Sequence, residues 1–518
     1  MDTLPSELCQ EIFSRLAGFN QRFDFVRPNL PEFGDAIRAP LRIAATCRHW
    51  RTLVLNYPEL WAFVHARDDR PEDDTHLRMC IERSGQHPLD VWILSDAESS
   101  SDAATDGEGE LEGDSESESE GKDTRGYSNS PAMFYKWLDL LQSNAHRWRR
   151  VRFDFPRPTP IDKFDTFTKP MPLLEHLVMS ASRVRGSAGY MVNRSWESNP
   201  ERLYFQGCPN LRTLASHSTL MVPATTLSRL KCLHFGVRGM ERDGPLWAAL
   251  ARTPALEELS VSRLIAEPPS SPVHLPALRR LGLLGYYDFD NKRWDKYLNV
   301  PNVDTLIISV EPCDNLRNTF ASFSSTVRHL VITTIEPQGD GGGYLYSGDA
   351  KALDSLQNVE TLELRDIPHS MFEDNPDEFF GSLAGIGDTP IPRWGPTLRK
   401  IILRDCDIEV RHCGSLATLV NMRETAARDS AVDAFELQLI NTRLLKGWRE
   451  KVPESMNSVK HLFGSSIVEL FDASSDDPSE NEDERDDEPD GAIVDDDPRQ
   501  NDCVLETSNE PARVGRHE

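Results

Sequence analysis

The nine cysteines contain no CxxC pair, and their odd count argues against a closed disulfide framework. This usage reads as a reducing compartment, cytosol or nucleus. No apolar run approaches the roughly 18–20 residues that cross a bilayer as a helix. The first residues are already amphipathic and carry acids, so no signal peptide is expected. HExxH, GxSxG and GxGxxG are all missing, which removes the usual sequence support for metalloprotease, hydrolase or dinucleotide chemistry. Nor does any stretch read as a basic nucleic-acid groove.

What is abundant is acid, but it is localised. The net charge is -27 over 518 residues. Residues 96–120 carry eleven acids and no Lys or Arg, and residues 472–497 carry fourteen acids against Arg485 alone. These two segments account for -24 of the total, so the rest of the chain is nearly neutral. Such tracts bury too little apolar surface to order themselves, and 95–128 and 472–518 are expected to be disordered. Serines directly before acids, in "DSESESE" and "ASSDDPSE", are the kind of site an acidophilic kinase prefers, or simply part of a solubilising tail.

Residues 1–65 read as helical. Thr3 can cap, Pro5 suits a first turn, and Leu4, Leu8, Ile12 and Leu16 recur every four residues. After a looser stretch, Ile43, Cys47, Trp50 and Val54 form a second stripe, and "YPELW" opens a short last helix at Pro58. A helix to about Arg83, a turn at Ser84-Gly85 and a strand Leu89–Leu94 follow, as a linker over 66–94.

From residue 129 a unit repeats: a short L-x-x-L-x-L run, often after Pro. Its first apolar positions are Trp148, Leu174, Leu211, Leu230, Leu256, Leu278, Val303, Val327, Val359 and Leu398, in steps of 19 to 39 residues. Most steps fall in or near the roughly 20–29-residue period of leucine-rich repeats. One such strand buries too little alone, but stacked neighbours share one core and one sheet. "PLWAALARTPA" and "KALDSLQN" have helical composition and suit the outer side. "FELQLINTRLLKGWREKV" reads as a closing strand and helix. The solenoid is expected over 129–471.

The opening pieces Leu4-Pro5, Glu7-Leu8, Ile12-Phe13, Leu16, Cys47-Arg48, Trp50-Arg51 and Leu60-Trp61 resemble the F-box, the module that docks on the Skp-type adaptor of a cullin ubiquitin ligase. With "ERSGQHPLDVWIL" and the irregular repeats, the chain resembles a large fungal group of F-box proteins with degenerate leucine-rich repeats. The loop between the helical halves is longer than in a compact F-box. The resemblance implies an all-α F-box followed by an α/β leucine-rich-repeat solenoid, horseshoe-like, with a disordered acidic insertion and tail. It implies a non-catalytic substrate receptor, in cytoplasm or nucleus. Adaptor contacts would come from Leu4, Pro5, Leu8, Ile12, Phe13, Leu16, Cys47, Trp50, Leu53, Leu60 and Trp61, with cullin reached through the adaptor. A helical cap on the solenoid would show the same periodicity, although it does not need this ordered set of residues. A non-ligase scaffold is the rival function.

The target, an unknown protein, would meet the repeat face. In each run the leucines point to the core and the alternating residues to the other, concave face. Those are Glu258, Ser260, Arg280, His329, Glu363, Arg365, Lys400 and Arg404. No nucleic acid, membrane, cofactor or metal is expected as a partner. "GDGGGYLYSGDAKAL" sits in phosphate-loop context, but Asp349-Ala350 stand where Lys and Ser/Thr are needed. Cys406, His412 and Cys413 lack a fourth ligand and zinc spacing, so they read as core and ladder residues. "ERLYFQG" at 201–207 resembles a protease site by coincidence.

Overall fold

The computed structural model describes residues 5–16, 34–67, 73–94, 130–155, 169–181, 205, 207–216, 223–236, 244–262, 269–284, 296–309, 316–333, 355–367, 397–409, 413–430, 435–440, 442–446 and 470–472. All of them lie in the unit Met1–Asp472; the unit Ala473–Glu518 falls outside the described residues. The chain opens with helices α1 (Ser6–Leu16), α2 (Gly34–Thr46) and α3 (Arg48–Leu55) and a 3-10 turn, Pro58–Trp61. Strand β1 (Phe63–Arg67), helix α4 (Asp73–Arg83), β2 (Leu89–Leu94) and α5 (Ser130–Gln142) follow.

From there the chain is an α/β solenoid-like arrangement. The main-sheet strands continue as β3 (Trp148–Phe155), β4 (His176–Ala181), β5 (Thr213–Ser216), β6 (Cys232–Gly236) and β7 (Glu258–Ser262). Two-residue strands β8 (Val273–His274) and β10 (Leu298–Asn299) pair with each other beside β9 (Arg280–Leu284) and β11 (Thr305–Ser309). Then come β12 (His329–Thr333), β13 (Thr361–Arg365) and β14 (Lys400–Arg404). Beyond them lie β15 (Asp407–Glu409), β16 (Glu436–Ile440), β17 (Arg443–Lys446) and β18 (Leu470–Asp472). Thirteen of these make one sheet with its strands in chain order, and each neighbouring pair is parallel. All ten repeat runs supply strands of that sheet.

The register explains the repeat. Leu259, Leu281, Leu306, Leu330, Leu362 and Ile401 stand side by side on successive strands, and all are fully buried. Two residues on, Val261, Leu283, Ile308, Ile332, Leu364 and Leu403 form a second buried row. Burying each such side chain contributes about 1.5–3 kcal/mol, and each strand completes its neighbour's share. The residues just before the strands alternate in sign across part of the sheet. Lys231 meets Glu257 at 2.6 Å and Arg328 meets Glu360 at 3.2 Å. These exposed pairs are individually weak, about 0.2–1 kcal/mol, but a slipped register would break them together.

Turns before the strands repeat too. Asn210 and Asn302 each donate Nδ2 to a proline carbonyl of the preceding turn, Pro172 and Pro276, at 2.7 Å. In "ERLYFQG" the described residues are Phe205 and Gly207. A Cβ on Gly207 would sit 2.6 Å from Pro170 Cα, so close packing demands glycine there.

Three expectations need correction. The sheet begins at Phe63, inside the span assigned to the helical module, because "FVHAR" pairs with β2. Residues 355–358 of "KALDSLQN" form a turn, not a helix. After β16 the chain enters β17 at Arg443–Lys446 rather than a helix, since "RLLK" pairs with β15 and β18. By contrast, "PLWAALARTPA" does carry a helix, Gly244–Leu250. Residues 95–128, 182–200 and the "GDGGGYLYSGDAKAL" stretch lie outside the described residues.

Candidate partner-binding surfaces

The N-terminal helices are held by the residues that drew attention in the sequence. The Pro5 carbonyl accepts from the N–H groups of Leu8 and Cys9 at 3.1 Å and starts α1. Cys47 sits in extended backbone ahead of α3, and its Sγ accepts from the Trp50 N–H at 3.4 Å, in the manner of a helix N-cap. Arg51 Nε donates to the Ala44 carbonyl, in the last turn of α2, at 3.0 Å. Phe13 of α1 meets Trp50 of α3 edge to face, with centroids 5.2 Å apart. Trp61 Nε1 donates to the Val54 carbonyl at 2.9 Å, and Arg83 lies over its ring at 5.2 Å.

This packing divides the expected adaptor residues. Phe13, Leu60 and Trp61 are buried within the chain, so they support a surface and cannot touch a partner. Trp50 and Leu53 are half-buried against the core, and Cys47 is exposed. Pro5, Leu8 and Ile12 face outward; Leu8 is 52% exposed and Ile12 42%. Leu4 and the Leu16 side chain lie outside the described residues. The structure adds Leu41 and Leu55, two further exposed leucines. Their signal in the sequence was leucine placed off the buried stripe of Ile43 and Val54.

A scan against protein-family models found no match for this chain, and a search of curated proteins found none either.

The second surface is the sheet face opposite the leucine rows. Here the expected residues separate into small groups. Glu258 and Arg280 are register partners, 3.7 Å apart, and Lys400 pairs with Glu436 at 3.1 Å. Ser260 is buried, not solvated, because it lies against Gly282 of the next strand. Its neighbour across the other side, His234, is pushed down to about 4 by burial, with Arg280 adding to the effect.

The third group converges on one carboxylate. Glu363 in the middle of β13 is 2% exposed, again contrary to the expectation of a solvated face. Its own strand supplies Arg365, whose Nε and Nη2 donate to Oε1 at 3.0 and 2.8 Å. The next strand supplies Arg404, whose Nε donates to the same oxygen at 2.8 Å. The preceding strand supplies His329, with Nε2 3.4 Å from Oε2. Arg365 is itself 8% exposed, because it lies along Glu363 between neighbouring strands. Burial alone would raise the Glu363 carboxyl, but His329, Arg365 and Arg404 outweigh it and bring it down to about 2.

Four thiols packed into the sheet region and α4 are poor nucleophiles. Burial pushes Cys80, Cys208 and Cys406 up to about 12 and Cys232 to about 11. Cys406 Sγ donates to the Leu364 carbonyl of the adjacent strand at 3.3 Å, a ladder contact. His412 lies outside the described residues, and Cys413 is the first residue of the helix Cys413–Ser430. Among the described residues no group of His, Cys, Asp and Glu could hold a metal ion, and no helix is long and apolar enough to cross a membrane.

Proposed function

We propose that this chain is a substrate-recognition subunit of a Skp-cullin-F-box type ubiquitin ligase. The N-terminal helices act as an F-box that docks the Skp-type adaptor, and the leucine-rich-repeat sheet face takes a protein target. The observation that carries the reading is the two-sided character of α1. Cys9 and Phe13 are buried inward, while Leu8 and Ile12, one turn apart on the same helix, stay open to solvent. A terminal helix that only capped a solenoid would carry a polar outer face, because that is what keeps such ends soluble. Two adjacent apolar side chains left outward on a packed helix are what an adaptor-docking surface would need.

In this role the chain needs no nucleophile of its own. It would work by holding a target lysine near chemistry on another subunit, an effective-concentration effect. Cytoplasm or nucleus suits such a complex. The test is a pulldown of the full chain with a Skp-type adaptor and its cullin. Retention of both supports the ligase reading. Retention of the adaptor without cullin supports the scaffold instead, and retention of neither rejects the docking surface.

A further inference from the structure

We propose that the group His329, Glu363, Arg365 and Arg404 is a built anion site that binds an acidic side chain of the target, a carboxylate or a phosphoryl group. The Glu363 carboxylate is the tether of this site, not its ligand-binding group. One oxygen accepts three N–H bonds from two guanidinium groups, so two positive charges are fixed beside one negative charge in a nearly closed setting. Arg404 gives Glu363 only its Nε, and its side chain remains 34% exposed. Its planar Nη fork is therefore held in one orientation and is still able to donate to a two-oxygen anion. His329, also 34% exposed, flanks the other Glu363 oxygen from the preceding strand.

A diffuse positive patch cannot explain such binding. Asp366 and Asp405 directly follow Arg365 and Arg404, and Lys400 is neutralised by Glu436. Any anion held here must be held by direct N–H contacts on a preset fork. Preorganisation by Glu363 is what lowers the ordering cost of those contacts. The proposal rests on reading the sheet face as the target-binding face.

The test uses the full chain and a peptide library with random flanks and a fixed central Glu, phosphoserine, Gln or Lys. The Glu or phosphoserine pool should be retained about tenfold more than the Gln pool. Preference for Glu alone, phosphoserine alone or both identifies the source of the anion. Arg404→Gln should abolish the preference. Glu363→Gln should abolish it too, although that change makes the site more positive; a merely electrostatic site would bind better. Arg404→Lys keeps the charge, loses the fork and should also fail, which covers the case of a poorly folding Gln variant. Equal retention of the Glu and Gln pools, or a preference that survives Arg404→Lys, overturns the proposal. Adaptor capture is measured on the same samples. Its loss with anion preference intact would reject the ligase reading alone.

Discussion

The indole N–H of Trp61 donates to the carbonyl of Val54 across 2.9 Å, with both residues closed to solvent. This bond ties the last turn of the N-terminal helices to α3, directly ahead of the first strand. Trp61→Ala removes a large buried ring together with the bond and should cost about 3–5 kcal/mol. Trp61→Phe keeps most of the volume and should cost about 1–2 kcal/mol. Urea unfolding of the two variants measures both. A Trp61→Phe variant as stable as the wild type would show that the hydrogen bond contributes nothing.

The opposite behaviour is expected one layer out. Leu8→Ala with Ile12→Ala should change stability by no more than about 0.5 kcal/mol per site, because both side chains are exposed. The same pair should weaken adaptor binding at least about tenfold. Calorimetric titration against the adaptor decides it, and unchanged affinity would remove the helix face from the interface.

Acid should act through Glu363. Its folded carboxyl lies at about 2, below the ordinary value near about 4.3. A depressed carboxyl contributes stability at neutral pH that is lost as pH falls through the folded value. The wild type should therefore lose on the order of 3 kcal/mol of this contribution between about pH 5 and pH 2, and Glu363→Gln should not. Unfolding curves of the two proteins should converge across that window. Parallel curves would mean the carboxylate gains nothing from Arg365, Arg404 and His329.

Thiol labelling offers an independent check of the packing. Cys47 is exposed, whereas Cys80, Cys208 and Cys406 are buried with thiols raised to about 12. Iodoacetamide on the native protein, read residue by residue by mass spectrometry, should label Cys47 well before those three. Early labelling of Cys406 would contradict its ladder contact with Leu364.

Much of this was legible in the residues, and the gaps have physical reasons. The ten apolar runs gave ten strands because two inward side chains at alternate positions, with a third apolar residue three before them, are hard to place otherwise. "FVHAR" was missed because it is short and carries a single apolar pair before a charged end; its partner Leu89–Leu94 is what makes it a strand. "RLLK" was read as helix because four residues do not distinguish the two periods. Cys47, Trp50 and Trp61 could be picked out as a set, but not their division into cap, wall and core. The burial of Glu363 was illegible for a different reason. It depends on which residues of β12 and β14 stand beside it, and that requires the register.

The closest local constraint lies on the same sheet face. A Cβ added to Gly282 would come within 2.5 Å of Ser260 Oγ, 3.0 Å of its Cβ and 3.3 Å of its Cα. Gly282→Ala would ordinarily help a strand, since glycine costs roughly 0.5–1 kcal/mol against alanine. Here overpacking should win, for a net loss of about 1–3 kcal/mol. Among the described residues Ser260 Oγ has no hydrogen-bond partner, so Ser260→Ala alone should be nearly neutral. The double variant removes the 2.5 Å contact and leaves the milder ones. It should recover part of the loss, with a coupling of at least about 0.5 kcal/mol in a double-mutant cycle. Strict additivity of the two changes would mean that β7 and β9 do not approach at this point, and the register between them would have to be redrawn.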